Sequence, residues 1–124
     1  MLQILAVAVG GGIGSVTRYL ISAWAAERFG SQFPYGTFLV NVSGCFIIGV
    51  FLVLATERLA LNPYWRLLIA SGFLGGLTTF SSFSYETFQL LAQSQFMVAL
   101  QNVSLNVIAG LAATYLGAVL ARAL

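Results

Sequence analysis

Residues 75–86 read GGLTTFSSFSYE. Two glycines, six hydroxyl side chains and one carboxylate fall within these twelve residues. The flanks are different: LLIASGFL (67–74) leads in and TFQLLA (87–92) leads out. Glycine is a poor helix former, and serine and threonine compete for backbone hydrogen bonds. The stretch therefore predicts an interruption inside an otherwise helical segment. Whether that interruption lies in water or in lipid decides the fold, and composition answers it.

Hydrophobic residues make up 60% of the 124 residues and charged residues only 6%. A soluble domain carries ~25% charged residues. A chain this short has no interior large enough to hide so much apolar surface. The reading is an all-α integral membrane protein with one domain, 1–124. Uncharged runs cover 1–17, 29–56, 67–85 and 87–121. A spanning helix needs ~20 mostly apolar residues. Four transmembrane helices are predicted, approximately 2–26, 36–57, 65–92 and 96–121, the third broken mid-membrane at the quoted stretch. Pro34 and Pro63 suit helix entry, where the missing N–H is not needed. The first Arg is Arg18, after the apolar run, so the N-terminus lacks the basic start of a signal peptide.

Net charge is +2, from five Arg and three Glu, with no Lys, Asp or His. The scattered Arg residues make no basic patch, so nucleic-acid binding has no support. Cys45 is the single cysteine, which rules out an intramolecular disulfide. With four spans, Arg58, Arg66 and Arg122 share one side, while Arg28 lies on the other with Arg18 near a helix end. Such a bias barely selects an orientation. Two readings stay open: a single topology fixed by Arg58 and Arg66, or insertion both ways with opposite copies pairing.

Each span carries small or polar residues at helical spacing. The first offers Gly11, Gly14, Arg18 and Ser22, and the second Thr37, Asn41 and Gly44. The fourth offers Asn102, Asn106, Gly110 and Thr114, each four residues apart. Most of the glycines and hydroxyls read as helix packing; Gly10 with Gly14, and Gly72 with Gly76, fit the small-xxx-small pattern. The carboxamides of Asn41, Asn102 and Asn106 fit lipid contact poorly, because each would lose its hydrogen bonds there. They line a wet cavity or bond across helices, and spacing does not separate the two. Arg18 either snorkels to the interface or faces an aqueous vestibule.

Interrupted backbone at membrane depth survives only when buried in protein or lining a cavity. Freed carbonyls there can coordinate a cation. Phe80 and Phe83 are three residues apart, among Thr79, Ser81, Ser82 and Ser84. A phenyl ring edge is partly positive. A small anion could meet ring edges and hydroxyls together, held weakly enough to leave again. No Ser-His-Asp set or metal-ligand cluster exists, so an enzyme is not indicated.

Three segments, GGGIGSVTRY (10–19), YGTFLVNVSGCFIIG (35–49) and SGFLGGLTTFSSFSYE (71–86), resemble the Fluc/CrcB family of fluoride channels. The resemblance implies a passive, fluoride-selective channel in the plasma (inner) membrane that lets fluoride leave the cell. It implies an antiparallel, dual-topology homodimer. It implies a structural sodium ion at the dimer centre, held by the backbone carbonyls of Gly75 and Thr78. The implied fluoride pore comprises Asn41, Phe80, Phe83, Ser81, Ser84, Asn106 and Thr114, with Asn102 an optional member. Arg18 and Thr37 belong to the implied vestibule. Implied partners are fluoride, the lipid bilayer and a second copy of the chain. The family commonly has threonine at Ser82, and the fourth span matches least well. The alternative is a small dual-topology, proton-coupled multidrug-type exporter. It needs an acidic residue deep in a span, and Glu86, near a helix end, is the one candidate.

Overall fold

Apolar runs without internal proline fold as helices, because a helix satisfies its backbone polar groups within its own segment. The computed structural model describes residues 1–124 and contains no strand. Helix α1 spans Leu2–Phe29 and α2 spans Tyr35–Arg58, whose last turn, Leu54–Arg58, widens to π-helical pitch. Helix α3 covers 63–77 and includes a π-helical stretch, Leu67–Leu74. Helix α4 is Phe80–Ala92 and α5 is Phe96–Ala123. Together α3 and α4 form one apolar span, Pro63–Ala92, giving four helices long and apolar enough to cross a membrane.

Helix ends follow local chemistry. Helix α1 runs on through Glu27 and Arg28 to Phe29, beyond the expected end at 26. Arg28 in the last turn is favourable at the negative end of the helix dipole. Gly30 then turns the chain with φ +82°, a conformation glycine adopts without penalty, and its N–H donates to the Ala26 carbonyl. Pro34 is the residue at the N-cap of α2. Pro63 opens α3, where Asn62 Oδ1 accepts from the Tyr64 N–H at 3.0 Å.

Between α3 and α4, Thr78 (φ −82°, ψ 155°) and Thr79 (φ −153°, ψ 118°) are extended. Thr79 is also the N-cap of α4, its Oγ1 accepting from the Ser82 N–H at 3.1 Å. The two glycines that precede the interruption, Gly75 and Gly76, remain helical.

Two helix pairs carry most of the packing, α1 with α3 and α2 with α5. Both are backbone-on-backbone contacts. A Cβ at Gly14 would overlap the Phe73 carbonyl, and one at Gly117 the Phe46 carbonyl. Small residues allow such approach, which in lipid gives dispersion contact that side chains would prevent. Val40, Leu74 and Leu77 form a small buried core where α2 crosses α3. At one end of the bundle, Arg122 pairs with Glu57 at 3.0 Å, and Arg58 donates to the Arg122 carbonyl. These contacts tie the ends of α2 and α5.

Only 22 of 124 residues are buried, and large apolar side chains such as Ile4, Leu5, Ile13, Ile108 and Leu111 are bare. Burial on that scale leaves most of the apolar surface to be covered by something other than this chain, which is the condition a bilayer meets.

Candidate functional site

The two extended residues set a specific chemical problem. In a continuous helix the Thr79 N–H would donate to the Gly75 carbonyl. Here it donates instead to Asn41 Oδ1 at 2.8 Å. Asn41 Nδ2 donates in return to the Thr79 carbonyl at 3.1 Å. One carboxamide on α2 thus satisfies both backbone groups of an extended residue, as a neighbouring strand would. Leaving either group buried and unpaired would cost about 1–3 kcal/mol.

Asn41 Nδ2 also donates to Asn106 Oδ1 at 3.3 Å. Asn106 Nδ2 donates to the carbonyl and Oδ1 of Asn102 at 2.8 and 2.9 Å. Asn102, with no exposed surface, donates to Thr87 Oγ1 at 3.0 Å. Thr87 Oγ1 donates to the Phe83 carbonyl at 2.8 Å. Of the two arrangements open to the asparagines, the structure shows bonds across helices, beside a groove.

That groove, of about 400 Å³, is walled by Asn41 and Cys45 of α2, Gly75 and Thr78, Phe80 and Phe83 of α4, and Asn106 of α5. The Phe80 and Phe83 rings lie 5.5 Å apart at 54°. Phe83 is 9% exposed and Phe80 is 79% exposed, so one wall is open. Thr79 Oγ1 donates to Ser82 Oγ at 3.1 Å and lies 3.2 Å from Ser81 Oγ. Ser84 is exposed, one turn after Phe80 on the same face of α4.

A second recess, of about 470 Å³, opens between the ends of α1, α2 and α4. Its lining is polar and includes Ser22, Thr37, Glu86, Gln89 and Gln93. Thr37 is buried and donates from Oγ1 to Glu86 Oε1 at 2.8 Å, while Glu86 Oε2 is buried without a partner. Both recesses are lined in part by α2 and α4. Phe80, Phe83 and Glu86 follow at three-residue steps on α4, and Thr37 and Asn41 are one turn apart on α2.

The residues singled out in the sequence are therefore partly brought together. Asn41, Phe80, Phe83, Asn106, Gly75 and Thr78 share the groove. Thr37 lies in the polar recess, and Arg18, which lines neither, reaches the Thr78 carbonyl from Nη1 at 3.4 Å. Arg18 has no carboxylate partner. Thr114 is outside the groove: its Oγ1 donates to the Gly110 carbonyl of its own helix, and its backbone packs on Gly49. Sequence reasoning missed Thr87 and Cys45 and gave Asn102 a marginal place. The signal for Asn102 was its four-residue spacing from Asn106. Thr87 had none, since threonines in helices routinely bond the carbonyl four residues back.

The carbonyls of Gly75 and Thr78 fit a hard cation in part. Gly75 is exposed and its carbonyl has lost the Thr79 N–H, and the Thr78 carbonyl has one long contact, to Arg18. No group of three or more His, Cys, Asp or Glu exists, so a metal would have to be held by neutral oxygens.

Four apolar spans enclosing a polar, hydrogen-bonded track define a multi-pass α-helical membrane protein. The family model described as "CrcB-like protein, Camphor Resistance (CrcB)" matches residues 5–118, and the chain belongs to this family. A relative named fluoride-specific ion channel FluC in Solibacter usitatus is 50% identical over 121 residues, covering 98% of this chain and 99% of the relative. One of the same name in Roseiflexus sp. strain RS-1 is 51% identical, covering 99% of each. Another in Geotalea uraniireducens is 45% identical over the full length of both.

Proposed function

We propose that this chain is a fluoride-selective passive ion channel that exports fluoride and lowers its cytoplasmic concentration. The observation that carries the reading is the alignment of groove and polar recess along consecutive turns of α2 and α4. The full-length kinship with relatives named for fluoride supports the identity of the ion. No bond is made or broken, and the chain is not an enzyme.

Fluoride is small and holds its water tightly, so a pore must replace that shell with close positive groups. The edges of Phe80 and Phe83 supply diffuse positive potential, and Ser81 and Ser84 supply hydroxyls. Asn41 and Asn106 form the polar wall, with Thr114 further along α5. Thr37 stands at the recess, and Arg18, with no carboxylate partner, biases the region toward anions. The extended pair Thr78–Thr79 lies at mid-membrane depth in this reading. Two copies assemble as an antiparallel, dual-topology homodimer in the plasma (inner) membrane, and the open wall at Phe80 supports a second copy closing it. Gly75 and Thr78 would hold a structural sodium ion through their carbonyls. Bound there, it would offset the carbonyl dipoles that the interruption exposes.

A fluoride electrode following efflux from proteoliposomes tests the function. A fluoride gradient alone should drive rapid release while chloride stays inside. Release that requires a proton counter-gradient would replace the channel with a coupled exporter.

A further inference from the structure

The direction of the hydrogen-bond chain across the groove is fixed by its ends. The Thr79 N–H can only donate, so the atom of Asn41 facing it must be Oδ1. Its Nδ2 must then face the Thr79 carbonyl, which can only accept. Asn106 Nδ2 faces the Asn102 carbonyl, again an obligate acceptor, so Asn106 Oδ1 is left for Asn41. At the far end Thr87 donates to the Phe83 carbonyl, leaving its oxygen to accept from Asn102. Every carboxamide points the same way, and the chain starts and ends on the third span.

Asn41 Nδ2 has two hydrogens, and both are used, on Thr79 and Asn106. Both bonds of Asn106 Nδ2 go to Asn102. Thr78 Oγ1 donates to the Leu74 carbonyl and Thr79 Oγ1 to Ser82. The side-chain amides of Asn41 and Asn106 therefore have no hydrogen to spare for a passing ion. What they do is connect the N-cap of α4 to its second turn, by way of α2 and α5.

We propose that Asn102 and Thr87 are positioning residues which, through Asn106 and Asn41, fix the Thr78–Thr79 interruption and the Phe83 ring relative to each other. In this arrangement selectivity comes from ring edges held at a set distance from the interruption, and the three asparagines act as its frame. The inference rests on the channel reading above.

Thr87→Val is the deciding variant, because it keeps shape and removes the hydroxyl. Purified wild type, Thr87→Val, Thr87→Ser and Asn102→Leu are reconstituted, and fluoride and chloride efflux are measured in the same vesicles. Thr87→Val should lower the fluoride-to-chloride rate ratio at least tenfold while eluting as the wild-type assembly. Thr87→Ser should restore most of that ratio. Combining Asn102→Leu with Thr87→Val should be no worse than the poorer single variant, as expected for one shared path. An unchanged ratio in Thr87→Val, or an equal loss in Thr87→Ser, overturns the proposal even if Asn102→Leu does not fold. Wild-type vesicles that release no fluoride would instead overturn the channel reading itself.

Discussion

Phe80 and Phe83 are three residues apart, yet one is bare and the other buried beneath it. Phe83 is thus the ring whose edge is set by protein alone. Phe83→Ile should keep assembly, by size-exclusion elution, and abolish fluoride release; normal release would remove ring edges from the mechanism. Arg18, half-buried with no carboxylate partner, acts at longer range. Arg18→Gln should slow fluoride release severalfold at low salt, with the deficit shrinking as salt rises, because its pull on ions still in the bulk solution is screened beyond ~10 Å at 0.1 M. Cys45 lines the groove beside Asn41. A small methanethiosulfonate reagent that reaches it should slow release, and Cys45→Ala should be insensitive to the reagent.

At the scale of elements, the spans were legible because uncharged runs of sufficient length have few other uses in a short chain. The glycine faces were legible too, as small residues four apart. Gly14 packs its Cα against the Phe73 backbone, with no room for a side chain. Gly14→Leu should separate α1 from α3 and lower thermal stability in detergent, by about 1–3 kcal/mol if the backbones can shift. The fourth span shows where spacing misleads. Residues at four-residue steps rotate by ~40° each, since a helix has 3.6 residues per turn. Asn102 and Asn106 share a neighbourhood, but Thr114, two steps on, has turned toward Gly49. Bond partners were not legible at all. A carboxamide in a span announces a need for hydrogen bonds, and only the packing of α2 on α5 decides that Asn106 meets Asn41.

For the whole molecule, the proposed sodium ion and antiparallel pairing make separate predictions. Replacing sodium on both sides with N-methylglucamine should slow fluoride release, and returning sodium should restore it; indifference would leave the Gly75 and Thr78 carbonyls without that role. Ser31, exposed between α1 and α2, reports orientation. In a Cys45→Ala background, Ser31→Cys should be labelled from outside the cell in roughly half of the copies if both orientations insert. Labelling of all or none would establish a single topology. The mutual grip of Asn41 and Thr79 also bears on how the chain is made. A ribosome delivers Asn41 well before Thr79, and Asn102 and Asn106 afterwards. The nascent third span therefore meets its first hydrogen-bonding partner on arrival, already threaded into the bilayer, whereas the last segment can only latch what the second has caught. Chains ended at Ala92 and extended by a polar linker long enough for the span to clear the ribosome should integrate that span less efficiently when Asn41 is replaced by valine, a difference that glycosylation-site mapping reads directly.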